Sequence, residues 1–260
     1  VNQPLRVVQM TDTHLFADPH QVLLGCPTGL TLAAVVAQVA KYQPDLILLT
    51  GDLSQDETPA SYQRLLACLQ PLTCPIHWTG GNHDHPEFLT QVLTAGGLRP
   101  EKSFTQGGWQ FILLHSPVPG AVGGYLDEAE TTHLSEILQR QTQPTLVALH
   151  HPPFPVGSPW LDESALANPE RLWQLLDAHP QVKLVLCGHV HQEQQWHRQG
   201  VTYFSTPSTC IQFAPQAPKF TLDTAYPGFR WLELDHQGNF RSGVTRVPYE
   251  LSVDLQATGY

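Results

Sequence analysis

The 260-residue chain is 41% hydrophobic and only 14% charged, a composition that supports a folded core and excludes a disordered chain. A formal net charge of −10 repels phosphate backbones and excludes a DNA- or RNA-coating role, yet it leaves room for a small anionic substrate held at bound metal ions. Five cysteines without a C-x-x-C pair, no basic-then-apolar leader and no apolar run near the length of a membrane span point to a reducing cytoplasm, without disulfides and without a membrane.

Taken in chain order, short apolar runs alternate with helical periodicity. Residues 6–10 read as a strand, and Leu32, Val35, Val36 and Val39 fall on one helical face. Residues 45–50 (DLILLT) read as a strand buried on both faces. Residues 59–69 form a helix opened by Pro59, residues 76–79 a short strand and residues 86–95 a helix. Strands follow at 110–114, 145–149 and 183–187, with helices at 128–140 and 169–178 between them. Residues 201–204, 230–234 and 243–247 are strands with no clear helix between them. No internal repeat or low-complexity linker interrupts the pattern, so residues 1–260 are expected to form a single α/β domain, richer in β-structure from about residue 200.

Metal-competent side chains follow successive strands. Asp12 and His14 follow the first, Asp52 the second and Asn82 the third; His150 closes TLVAL, and His189 and His191 follow KLVLC. Ligands in open α/β sheets bind at the carboxyl ends of strands, so five separated segments are expected to converge on one edge. Taken singly the pieces are weak: Asp12-Thr13-His14 is a common loop triplet, and Gly51-Asp52 is an ordinary turn. Gly80-Gly81-Asn82-His83-Asp84 and Gly188-His189-Val190-His191 are stronger, and an extended backbone would point His189 and His191 to the same side. Together the seven residues offer three oxygen donors and four imidazoles, too many for one tetrahedral ion but suited to two borderline divalent ions sharing a carboxylate.

These blocks, Asp12-Thr13-His14, Gly51-Asp52, Gly81-Asn82-His83-Asp84, His150 and Gly188-His189-Val190-His191, stand in the order of the calcineurin-like metallophosphoesterase superfamily, which the chain resembles over residues 12–191. Residues 11–16 (TDTHLF), 150–153 (HHPP), 207–213 (PSTCIQF) and 227–234 (PGFRWLEL) resemble more closely the bacterial class III 3′,5′-cyclic nucleotide phosphodiesterases. His115 departs from that group, which usually has Asp there, and is not counted as a ligand.

The resemblance implies a β-sandwich flanked by helices, in four layers α/β/β/α, and two divalent ions, iron or manganese first and zinc, cobalt or nickel as alternatives. It gives metal one Asp12, His14, Asp52 and His191, and metal two Asp52, Asn82, His150 and His189, with Asp52 bridging. It also implies a metal-bridging hydroxide as nucleophile, His14, Asp52, Asn82, His83 and His191 around the substrate phosphate, and His83 as general acid to the leaving oxygen. Asp84 is expected to orient a ring by accepting its N–H. Residues 16–25, with Phe16 and His20, are expected to wall the nucleoside. The expected reaction is hydrolysis of cyclic AMP to AMP. The alternatives are another diesterase, a monoesterase or a pyrophosphatase on the same metals, and a metal-free binding scaffold, which would have lost ligands. His133, His179, His197 and His236 read as surface residues, Trp196 and Trp231 as packing, and His151 as flanking the site, while the role of His85 stays open.

Overall fold

The computed structural model describes residues 3–250 and 252–260. Two sheets face each other. In the first, β1 (Leu5–Met10), β2 (Leu46–Thr50) and β3 (Ile76–Thr79) run parallel, and β12 (Gly228–Leu234) and β13 (Phe240–Arg246) add antiparallel to the free side of β1. In the second, β5 (Trp109–Leu113), β6 (Thr145–Ala148), β7 (Val182–Cys187) and β9 (Val201–Ser205) run parallel between antiparallel edges β4 (Ser103–Gln106) and β8 (Gln194–Arg198).

The burial pattern explains the layering. Val7, Leu46, Leu48, Leu232 and Leu234 of the first sheet meet Trp109, Phe111, Leu146, Leu184 and Leu186 of the second in one apolar layer. The alternate residues Val8, Met10, Ile47 and Leu49 face outward, onto α1 (Thr28–Tyr42), α2 (Pro59–Leu69) and α3 (Pro86–Ala95). Ile112, Val147 and Val185 face α4 (Glu128–Arg140) and α6 (Pro169–Asp177) on the far side. Because both faces of each sheet are covered, the central strands carry continuous apolar runs instead of alternation. The result is the expected α/β/β/α sandwich flanked by helices.

Helix starts are chemically marked. Thr58 caps α2 by accepting from Ser61 N, and Asp127 caps α4 by accepting from Glu130 N, with Glu128 and Glu130 in a first turn that favours negative charge. His85, whose role the sequence leaves open, caps α3: its ring accepts from Phe88 N and stacks on the Phe88 ring. Sequence periodicity did not yield β4, β8, the single-turn α5 (Pro159–Asp162) or the small hairpin β10 (Gln212–Phe213) with β11 (Leu222–Asp223). β4 and β8 are polar edges that contribute little to the core, so their apolar signal is weak.

Candidate metal centre

The parallel strands of both sheets end at one rim. Beyond β1 and β2 the chain keeps a paired course, with Asp12 N donating to Gly51 O and His14 N to Asp52 O, each at 3.0 Å. Gly188 N donates to His150 O, which joins the loops after β6 and β7 in the same way. Five of the seven expected ligands, Asp12, His14, Asp52, His189 and His191, have positive φ, between 45° and 70°. Such backbone is sparsely populated by residues with a side chain and is retained where function requires it. The expected extended segment at 189–191 is therefore corrected: the two histidines are aimed by left-handed turns and not by the pleat of a strand. Glycines permit the crowding. A Cβ at Gly81 would lie 2.1 Å from Asp52 Oδ1, and one at Gly188 would lie 2.2 Å from Thr11 Oγ1.

Six of the seven come together and are buried, and Asn82, half-buried, lies on the loop whose Gly81 and His83 pack against Asp52. Nε2 of His14 lies 3.2 Å from Nε2 of His191, and Asp12 Oδ1 lies 3.3 Å from the same His191 atom. Asp52 Oδ2 sits between two groups, 3.8 Å from His14 Nε2 and 3.2 Å from His150 Nε2. Each ring is held by its other nitrogen. His14 Nδ1 pairs with Gln55 Oε1 at 2.7 Å, His150 Nδ1 with Thr50 O at 2.7 Å and His191 Nδ1 with Ile211 O at 2.9 Å. An Nδ1–H donating to an oxygen leaves Nε2 unprotonated and aimed at the centre, as a metal ligand must be. His189 is reversed: Nε2 hydrogen-bonds with Ser164 Oγ at 3.0 Å, leaving Nδ1.

Two buried atoms, Asn82 Oδ1 and His150 Nε2, lack any hydrogen-bond partner. A buried amide oxygen without a partner, on the loop that packs against Asp52, is what a cation would satisfy, and with the imidazoles and carboxylates of the centre the donor set fits divalent metal. The electrostatics agree. Burial opposes ionisation of Asp12 and Asp52, yet His191 beside the first and His150 beside the second hold both carboxyls below the usual range. Burial pushes His14 down to about 3, which keeps it neutral. Burial opposes the charged form of His150 too, but Asp52 beside it raises it to about 9; a metal ion at Nε2 would take the place of that proton and meet the same carboxylate charge.

His83 lies at the mouth, its N–H donating to Asp52 Oδ1 at 2.8 Å and its ring 5.1 Å from the ring of His14. His151 flanks the site but has both nitrogens engaged, with Ser116 Oγ and Val122 O. Asp84 does not orient a ring. Its carboxylate accepts from the backbone N–H groups of Leu53, Ser54 and Gly81 and from Tyr62 Oη, so it ties the Asp52 loop to the Asn82 loop. Tyr62 Oη in turn accepts from His85 N at 2.8 Å. Tyr62→Phe is expected to strand these buried partners and cost about 1–3 kcal/mol, read as a lower midpoint in urea unfolding.

Phe16 is buried among Leu23, Cys26, Cys210 and Ile211 and belongs to the core, while His20 is exposed. His115 is exposed, and its backbone N–H donates to Glu130. His133, His197 and His236 are exposed, and the ring of His179 bonds to Leu175 O. Trp196 stacks on Phe154, and Trp231 packs against the outer core of the first sheet. Sequence reasoning missed Gln55 and Ser164, which hold ligand rings, Ser208, whose hydroxyl donates to Asp12 O at 2.8 Å, and Phe213, whose ring stacks on His191 at 4.2 Å. Nothing in their local sequence announces these partners.

Residues 5–193 match the family described as calcineurin-like phosphoesterase. The chain belongs to that family. It is 42% identical over 258 residues to a 3′,5′-cyclic-nucleotide phosphodiesterase of Nostoc, covering 98% of this chain and 97% of the relative. It is also 42% identical to the 3′,5′-cyclic adenosine monophosphate phosphodiesterase CpdA of Pseudomonas aeruginosa (98% and 94% covered), and 40% identical over 261 residues to the CpdA of Escherichia coli K12 (98% and 95%). Among solved structures, a dimetal phosphatase from Danio rerio superposes with a TM-score of 0.71 at 14% identity, covering 96% of this chain and all of that one. At that identity the likeness concerns the fold.

Proposed function

We propose that the chain hydrolyses 3′,5′-cyclic nucleotides, cyclic AMP to AMP, at a dinuclear centre. The observation that carries the reading is the buried convergence of Asp12, His14, Asp52, His150, His189 and His191, with the unpartnered Asn82 Oδ1 on the adjoining loop. The substrate class is supported by near full-length identity to curated cyclic nucleotide phosphodiesterases. Asp12, His14, Asp52 and His191 would hold one ion and Asp52, Asn82, His150 and His189 the other, with iron or manganese as the first choice and zinc, cobalt or nickel as alternatives. Ions held there would lower the pKa of a water to supply the nucleophile and would offset the charge of the phosphate. β12 and β13 complete the sheet that carries Asp12, so the proposal treats residues 1–260 as one catalytic domain.

The chain's own groups do the rest. His14, Asp52, Asn82, His83 and His191 surround the position of the phosphate. His83, tethered through its backbone to Asp52 Oδ1, is placed to give a proton to the leaving ribose oxygen. The partner is a small phosphoester, because a surface with a net charge of −10 disfavours polymeric nucleic acid. Among the described residues no helix is long and apolar enough to cross a membrane. The five free cysteines support a cytoplasmic setting.

A panel of cyclic AMP, cyclic GMP, 2′,3′-cyclic AMP, bis(p-nitrophenyl) phosphate and p-nitrophenyl phosphate with Mn²⁺ tests the reading. Cyclic AMP is expected to lead in kcat/KM, and a monoester leading it would overturn the assignment. His83→Ala is expected to slow cyclic AMP hydrolysis by ~10²–10⁴-fold, the usual worth of general acid help. Bis(p-nitrophenyl) phosphate is expected to lose much less, because p-nitrophenolate leaves without a proton. Equal losses for the two substrates would assign His83 to phosphate binding instead.

A further inference from the structure

Residues 252–260 run back across the mouth of the centre. Val253 packs against the small core formed around Phe16, Leu23 and Phe213. Asp254 N donates to Leu24 O at 2.9 Å, and among the described residues this is the one backbone hydrogen bond between the segment and the body of the protein. The remaining bonds are internal: Leu255 N to Val253 O, Ala257 N to Asp254 O and Gln256 N to Asp254 Oδ1. The segment ends on a ring placed against the catalytic histidines. Tyr260 lies parallel to His83 at 5.4 Å between centroids and 12° between planes, and edge-on to His14 at 5.7 Å and 82°. Phe213 and Phe220 flank it, each at 5.9 Å. The residue is 44% exposed.

His14 and His83 are two of the groups that the proposed function places around the phosphate, and the inference rests on that placement. A ring stacked on one and edge-on to the other occupies the approach a phosphodiester must take. We propose that residues 252–260 are a strap that closes the catalytic pocket, with Tyr260 as its plug, and that substrate binds only to the fraction of molecules in which the strap has lifted. Few anchors and a chiefly local bond network make such a segment easy to open. Occlusion raises the apparent KM by the inverse of the open fraction and leaves kcat alone. An aromatic stack of ordinary strength corresponds to about a three- to tenfold effect.

Two variants lift the strap in different ways. Tyr260→Ala removes the plug. Gly25→Ala places a Cβ 2.2 Å from Ser252 O at a backbone φ of +86°, so the segment and the turn that carries Gly25 are pushed apart. Both are expected to lower KM about three- to tenfold for cyclic AMP and for bis(p-nitrophenyl) phosphate alike, while Tyr260→Phe, which keeps the ring, retains the wild-type KM. Hydrogen exchange of residues 252–260 in the metal-loaded protein is expected to quicken when AMP saturates the site. A KM for cyclic AMP that rises in Tyr260→Ala while the generic diester is unaffected would make the ring a wall of the nucleoside site and overturn the strap. Unchanged KM for both substrates, or slower exchange with AMP bound, would overturn it too. If bis(p-nitrophenyl) phosphate gains and cyclic AMP is turned over by neither wild type nor variant, the strap stands and the cyclic nucleotide reading falls.

Discussion

Asp52→Asn is expected to lose several orders of magnitude in kcat/KM and to retain less than the wild-type complement of both ions. The two carboxylate oxygens are already committed. Oδ1 accepts the His83 N–H at 2.8 Å, and Oδ2 faces His150 Nε2 and His14 Nε2 at 3.2 and 3.8 Å. An amide supplies one oxygen and one NH₂ group. With the oxygen on His83, the NH₂ group points into the centre and repels a cation. With the amide flipped, the NH₂ group confronts the His83 N–H and the loop carrying the proposed acid shifts. Either way a buried negative charge shared by the two proposed shells is gone. Kinetics with cyclic AMP, together with metal content by elemental analysis, check this. Full turnover with two ions bound would remove Asp52 from the bridging position.

Exhaustive chelation is expected to abolish turnover, and Mn²⁺ to restore it far better than Ca²⁺. Four imidazoles in the donor set suit borderline ions, whereas Ca²⁺ favours shells made of oxygen. Metal is also expected to stabilise the fold. The rim holds two buried carboxylates and five left-handed backbone positions, which a cation bound to the native state compensates. Free metal at a hundredfold its dissociation constant adds about 2.7 kcal/mol, seen as a rise in Tm on titrating Mn²⁺. Activity persisting in protein proven metal-free, or a Tm indifferent to Mn²⁺, would refute the metal centre.

Much of this molecule follows from local sequence. Pro59 after Thr58, Pro86 after His85 and the acidic turn after Asp127 mark helix starts by chemistry that acts within three or four residues, and the observed α2, α3 and α4 begin where those marks stand. The strands β2, β6 and β7 announce themselves as buried runs because both their faces are covered. The site blocks are legible for a related reason: each is a short motif directly after a buried strand, and parallel strands bring their carboxyl ends to one rim.

What the sequence by itself determined, then, is the α/β class, the ordering of the central elements and the seven residues that gather at the strand ends, because these depend on periodicity and nearest neighbours in the chain. The tertiary structure decided which nitrogen of each histidine faces the centre, since that depends on Gln55, Thr50, Ile211 and Ser164 arriving from other segments. It decided that Asp84 ties two loops together, because its donors on Leu53, Ser54 and Tyr62 lie 22 to 31 residues away in the chain. It also decided that Phe16 is core, because Cys210 and Ile211 come from the far end of the chain to cover it, and that Tyr260 is the aromatic at the mouth, because residues 252–260 return to the centre. Contacts between distant segments carry no local periodicity, and only the closed fold makes them neighbours.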